Sequence, residues 1–288
     1  HKDFFDKICN CPFRMRGGGG KTWAPQNFRE ENPLPYGYID FSTGLIRSVN
    51  LSTLNLARSM GGMEQIVRLA NSMGVYGNPG MVRDSDGKIW LRQPGFKIKG
   101  GLVPLLPTAI GASDVNLLEL ANAYAVFFRN GVYLKPTLVK EIRNTYSDGV
   151  IYVSEQSTGK RVLSVNTSVK MVALMRAVTK IGTAKISMKD IEQQVACKTG
   201  TSDGPRDVSI WCGTPELVIA VRFGIDDYRV IELPDYMKNV SGRDDMQVTG
   251  GWVAGPLVRK MVDRIYSERD KVEFSPLVES ELMRILTH

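Results

Sequence analysis

Apolar positions follow two patterns, and the two are segregated along the chain. In the first half they recur every three to four residues, the spacing of one helical face. Residues 45–75 predict two helices: Leu51, Leu54 and Arg58 begin one face, and Met63, Ile66, Val67, Ala70 and Met73 continue the period after Gly61-Gly62 breaks the chain. Residues 76–112 are rich in Gly and Pro and predict a long loop. Ser113 or Asp114 then caps a strong helix with Leu117, Leu120, Ala121, Tyr124 and Phe128 on one stripe and Gly131 as its stop. Stripes of this kind read as core faces, not as cofactor sites.

The second half brings strands. Residues 136–143, the turn Ser147-Asp148-Gly149 and residues 150–153 predict a hairpin. A helix over 168–180 carries Val169, Val172, Met175 and Val178 near one face. Short strands follow over 195–201, 208–212 and 217–223, the last with an unbroken apolar run that predicts burial on both faces. A final helix over 253–266 closes the core, residues 267–288 read as a polar-to-amphipathic tail, and residues 1–36 read as irregular, with a flexible hinge at Gly17-Gly18-Gly19-Gly20. Helices first and strands later argue an α+β fold over an alternating α/β one.

Composition narrows the chemistry. Hydrophobic residues make up 43% and charged residues 23% of 288, a globular balance that excludes a chain disordered throughout. The net charge of +7 suits nucleic acid, anionic lipid or an anionic wall polymer and selects none of them. Both histidines, His1 and His288, lie at the ends. A Ser-His-Asp triad, an H-E-x-x-H zinc site and a Cys-His dyad are therefore disfavoured, and a base would be a lysine or a carboxylate. Cys9 and Cys11 form C-x-C with no second pair nearby, which argues against zinc; Cys197 and Cys212 read as two small buried residues in preference to a disulfide. Gly20-Lys21-Thr22 resembles the end of a phosphate-binding loop, but Met15 stands where the loop needs its first glycine. No metal or cofactor is expected. No apolar run is long enough to span a bilayer, and the start at His1 predicts a fragment or a processed product.

Cys197-Lys198-Thr199-Gly200-Thr201-Ser202 stands out. On a regular strand Lys198 and Gly200 face one way, and Thr199 and Thr201 the other. Gly200 would let another backbone lie close, so an extended peptide could add at this strand with a backbone N–H aimed at an oxyanion. Alone, K-T-G is a weak tripeptide. Ser48-Val49-Asn50, an S-x-N triplet between two helices, changes its weight, because S-x-x-K, S-x-N and K-T-G elements occur together in penicillin-binding proteins and serine β-lactamases. Further segments agree in order: Trp23-Ala24-Pro25-Gln26-Asn27, Gly37 through Asn50, Leu106-Pro107 with Gly111, Glu119 through Tyr124 with Asn130-Gly131, Gly182-Thr183-Ala184, Thr214-Pro215, Gly224-Ile225-Asp226-Asp227 and Thr249-Gly250-Gly251.

Taken together, residues 23–266 resemble the transpeptidase domain of class A, bifunctional penicillin-binding proteins. The resemblance implies an antiparallel sheet flanked by helices, with an all-helical subregion. It divides the chain into an irregular remnant over 1–22, an incomplete transpeptidase domain over 23–268 and a tail over 269–288. One motif departs. The family's nucleophilic serine belongs to an S-x-x-K helix upstream of W-x-P-x-N, and the first serine here is Ser42. Ser85-Asp86-Gly87-Lys88 and Ser157-Thr158-Gly159-Lys160 come too late in the order and place glycine where a helix must align serine with lysine. Ser164-Val165-Asn166 repeats S-x-N but reads as a helix cap.

Carried over by position, the resemblance makes Ser48 the proton relay to the leaving amine and Asn50 the partner of the substrate's amide. Lys198 supplies positive potential beside Ser48, Thr199 and Thr201 bind the terminal carboxylate along the Gly200 strand, and the Thr201 N–H forms half of the oxyanion hole. The implied partners are peptidoglycan stem peptides, β-lactam antibiotics and cell-wall synthesis proteins, with no nucleic acid. The implied location is the extracytoplasmic face of the bacterial membrane, reached through an N-terminal anchor that the sequence lacks. The alternatives are a wall-peptide-binding pseudoenzyme and, against the context of Gly182-Thr183-Ala184 and Thr249-Gly250-Gly251, a serine β-lactamase relative.

Overall fold

A computed structural model describes residues 3–16, 22–28, 34–77, 102–154, 158–225, 229–232 and 248–288, and the backbone of 82–83 and 89–90. In chain order the first elements are β1 (Lys7–Asn10), β2 (Met15–Arg16), β3 (Thr22–Trp23), β4 (Gly37–Asp40), α1 (Phe41–Ile46), α2 (Asn50–Ser59), α3 (Met63–Ser72), β5 (Val82–Arg83) and β6 (Ile89–Trp90). They continue with α4 (Leu117–Phe128), β7 (Val132–Tyr133), β8 (Glu141–Arg143), β9 (Val150–Val153), β10 (Lys160–Arg161), α5 (Val165–Ile181), β11 (Ala196–Thr201), β12 (Asp207–Gly213) and β13 (Val218–Gly224). A π-helical turn, Gly250–Ala254, leads into α6 (Gly255–Tyr266), and α7 (Pro276–Leu286) follows. The mixture of helices and antiparallel strands is the α+β class expected.

β11, β12 and β13 form an antiparallel meander. Directly paired residues share a face of the sheet, so Lys198 and Trp211 lie together, and Tyr124 of α4 stacks on Trp211 with ring centroids 5.6 Å apart. On the other face Thr199 pairs with Ile210, and α6 arrives there with Gly255 against Ile210. α5 is buried along most of its length through Val169, Val172, Leu174, Met175, Ala177 and Val178, and joins β11, α6 and α7 in one core. Two smaller clusters, around Leu54 with Met63 and around Met73 with Val126, belong to the helical part.

Several expectations shift. α4 begins at Leu117 and is capped by Asn116, whose side chain accepts from the Leu118 N–H (2.8 Å); the Ser113 hydroxyl is spent on Thr108. Its buried face is Asn122, Ala123, Ala125 and Val126, while Leu117 is exposed. α5 starts three residues earlier than its period predicts, because the Ser164 hydroxyl accepts from the Thr167 N–H (3.0 Å), the capping role expected for the second S-x-N. The hairpin's first strand contracts to Glu141–Arg143. β13 pairs with β12 alone among the described residues, and within 217–221 only Ile219 is buried, so the run is not enclosed on both faces.

The ends are also more ordered than expected. Phe4 and Ile8 are buried, and β1 pairs with β4. The tail forms α7, whose Val278, Leu282 and Ile285 complete the main core. Arg176, buried on α5, donates from Nε and Nη2 to the two carboxylate oxygens of Glu279 (3.1 and 3.0 Å), fixing α7. Finally, Cys197 and Cys212 are disulfide-bonded, against the sequence reading. The register sets them directly opposite with Cα atoms 4.1 Å apart, close enough for their side chains to meet. Cys9 and Cys11 are bonded as well.

Candidate active site

Ser48 sits in the turn between α1 and α2. The Ser48 N–H donates to the Leu45 carbonyl (3.1 Å) and the Val49 N–H to the Gly44 carbonyl (2.8 Å), which reverses the chain in two residues. That reversal needs a left-handed residue, and Ser48 supplies it with φ 54°, a conformation an L-residue adopts at a cost of roughly 1–2 kcal/mol. The turn faces β11. Lys198 Nζ donates to Ser48 Oγ at 2.6 Å and to the Thr199 carbonyl at 3.0 Å, so residues 150 apart in sequence meet. The charged end of Lys198 is drawn into the fold, and this desolvation lowers its pKa from 10.5 to about 8.

β11 is an end strand of its sheet among the described residues. The close Cys197–Cys212 spacing marks a non-hydrogen-bonded pair, and the Ser202 N–H donates to the Asp207 carbonyl (2.9 Å) in a bonded position. Bonded pairs therefore fall at 198, 200 and 202, and the N–H and C=O groups of Thr199 and Thr201 point to the outer edge. Lys198 reaches the Thr199 carbonyl there. A strand edge with outward donors and acceptors can bind an extended peptide.

The two threonine hydroxyls are held from the sheet's other face. Thr201 Oγ1 accepts from the Gly250 N–H (3.2 Å), which leaves its own proton free to donate. Thr199 Oγ1 shares a hydrogen bond with Thr183 Oγ1 (2.6 Å). Gly250 has no room for a side chain, since a Cβ would strike the Ser209 carbonyl. A Cβ on Gly200 would come within 2.6 Å of Ser209 Oγ and, among the described residues, would meet no backbone of another segment within 4 Å, so the close backbone neighbour expected on that side is not supplied by the described chain.

Asn50, the last member of S-x-N, starts α2 and donates from Nδ2 to the Gln26 carbonyl (3.1 Å). One of its two side-chain N–H groups is engaged with the W-x-P-x-N segment, and its Oδ1 is an acceptor. Gly182 and Thr183 were passed over as site residues. A Cβ on Gly182 would lie 2.6 Å from the Ile46 carbonyl, so this glycine lets the end of α5 close on the S-x-N turn and delivers Thr183 to Thr199. The tripeptide Gly-Thr-Ala, noted only for its order along the chain, was the available signal. Ser85 through Lys88 lie outside the described residues, as does Ser157; Lys160 lies on the exposed strand β10. A separate groove lined by Asn122, Arg129, Lys135, Glu216 and Leu217 shares no residue with this site. Among the described residues no group of three acidic, Cys or His side chains could hold a metal ion, and no helix is long and apolar enough to cross a membrane.

Comparison with known proteins bears on this arrangement. A sequence model of the penicillin binding protein transpeptidase domain matches residues 16–204, which include both Ser48-Val49-Asn50 and Lys198-Thr199-Gly200. Penicillin-binding protein 1A of Aquifex aeolicus (strain VF5) is 26% identical over 254 residues, covering 87% of this chain and 29% of that protein. Its counterpart from Rickettsia bellii (strain RML369-C) is 23% identical over 281 residues, covering 90% and 30%. The chain thus spans less than a third of the length of these curated relatives. Among solved structures, penicillin-binding protein 1A from Haemophilus influenzae superposes with a TM-score of 0.71 at 17% identity, over 95% of this chain and 41% of that one. PonA1 from Mycobacterium tuberculosis gives 0.72 at 19%, over 95% and 66%, and has also been solved in complex with penicillin V. At these identities the structures speak for the fold alone.

Proposed function

The chain belongs to the penicillin binding protein transpeptidase domain family, and from that premise we propose that it forms the proton relay and one wall of a peptidoglycan D,D-transpeptidase site. The contact of Lys198 Nζ with Ser48 Oγ carries the reading. The reaction divides between this wall and a serine of an S-x-x-K helix, supplied by chain outside the 288 residues. That serine attacks the carbonyl between two D-alanines of a stem peptide, and its lysine partner takes the proton. The C–N bond breaks, and the departing D-alanine nitrogen needs a proton. Ser48 O–H donates it, and the Lys198 ammonium replaces it on Ser48. The amine of a second stem peptide then attacks the acyl ester and passes its proton through Ser48 to Lys198, while the ester C–O bond breaks and the departing serine oxygen takes back its proton from its own lysine partner. A lysine with pKa about 8 is suited to both directions near neutral pH. The hydroxyls of Thr199 and Thr201 grip the terminal carboxylate, Asn50 Oδ1 meets an amide N–H of the substrate, and the outward Thr201 N–H stabilises the oxyanion. β-Lactams would acylate the same serine. The Cys197–Cys212 disulfide supports an oxidising, extracytoplasmic setting, with a membrane anchor in the remainder of the protein.

Neither S-x-x-K string in the sequence precedes Ser48-Val49-Asn50, and this order favours one alternative, a wall-peptide-binding protein without catalysis. Acylation by fluorescent penicillin separates the two readings in the natural full-length protein. The transpeptidase reading expects covalent labelling that slows by on the order of 10²–10⁴ in Ser48→Ala. An unlabelled parent protein supports the alternative.

A further inference from the structure

α2 begins immediately after the strained Ser48 turn, and its own cap is inert. The N-cap residue is Val49, which has no side-chain acceptor for the first free N–H groups of the helix. The acceptor comes from 24 residues away: Asn27 Oδ1 takes the Leu51 N–H at 2.9 Å. Asn27 is itself oriented, because its Nδ2 donates to Asn10 Oδ1 (2.7 Å) and Asn10 Nδ2 donates to the Pro35 carbonyl (2.9 Å). Asn10 is fully buried, so this order of donors and acceptors is fixed. The strand around it is pinned from α2, where Asn55 Nδ2 donates to the carbonyls of Cys9 (3.2 Å) and Cys11 (2.8 Å). We infer that Asn27, held by Asn10, is a positioning residue: it caps α2 from outside the helix and so sets where Ser48 Oγ stands relative to Lys198. A serine relay depends on such placement, since a displacement of about 1 Å can cost 10²-fold in rate. The inference rests on the transpeptidase reading for its consequence, and on the hydrogen-bond chain for its geometry.

The test has two readouts. In the full-length natural protein, acylation by fluorescent penicillin is measured over a range of concentrations to separate binding from the limiting rate. Asn27→Ala should lower the limiting rate at least about tenfold with little change in binding. Asn27→Asp keeps an acceptor for the Leu51 N–H but loses the donor to Asn10 Oδ1, so it should recover only part of the loss. In the 288-residue chain, Lys198 is titrated by carbon-13 NMR of labelled lysines. Its midpoint should move toward the ordinary lysine value by about half a pH unit or more in Asn27→Ala. A limiting rate within twofold of the parent, or a smaller labelled fraction that reacts at the parental rate, overturns the inference. If the parent itself takes no label, the transpeptidase reading fails separately. The Lys198 midpoint then decides: a shift sustains the positioning role, and an unchanged value overturns it.

Discussion

Ser48 combines a backbone cost with a chemical task. Its left-handed φ of 54° would suit glycine, yet a hydroxyl stands there and accepts a hydrogen bond from a lysine. Lys198 carries the matching cost, because its ammonium is desolvated and donates, among the described residues, to two neutral oxygens. The sign of the resulting pH effect is fixed. The folded pKa, about 8, lies below the ordinary 10.5, so between these values the unfolded chain holds more protons than the folded one. Stability relative to a Lys198→Met variant should therefore rise as pH goes from about 8 to 10.5 and stay flat below 8. Urea unfolding of both chains across that range checks this; a difference that falls with pH, or does not change, contradicts the desolvation of Lys198. At this scale Ser48, Lys198, Thr199 and Thr201 were legible as types in order. Asn27, Thr183 and Gly182 were not given roles, because what they do depends on a partner's position and not on their own chemistry.

Helices and strands were legible where local patterns decide them. The 3.6-residue period around Met63 to Met73, the turn at Asp148 and the strand through Lys198 all correspond to observed elements. They were misjudged where a distant partner decides. α4 was expected to be capped by Ser113 or Asp114, but Asn116 is the residue placed to reach the Leu118 N–H. The cysteine pairing depends on the register of β11 against β12, which is set by the whole meander. The last 20 residues looked like a tail because α7 buries only one face, through Val278, Leu282 and Ile285, and its anchor lies on another helix. Arg176 of α5 has a side chain only 6% exposed, and Glu279 is its carboxylate. Glu279→Ala should cost about 3 kcal/mol, the low end for breaking a buried pair when one partner is partly solvated. Chemical denaturation measures it, and a loss under about 0.5 kcal/mol would make α7 the dispensable tail that its sequence suggests.

The whole molecule reads as a sheet between helical layers, with the S-x-N turn on a helical part and the K-T-G strand at the sheet's edge. Order among many short motifs made the family legible, since each match was weak and their sequence along the chain was not. Family membership and fold do not by themselves locate the nucleophile. The central claim is that Ser48 and Lys198 serve a serine that the 288 residues do not contain. Mass spectrometry of the full-length natural protein after reaction with penicillin tests this directly, by locating the penicilloyl adduct in a proteolytic digest. The account predicts one adduct, on the serine of an S-x-x-K segment upstream of residue 1. An adduct on Ser48 or on any other serine within residues 1–288 would contradict it.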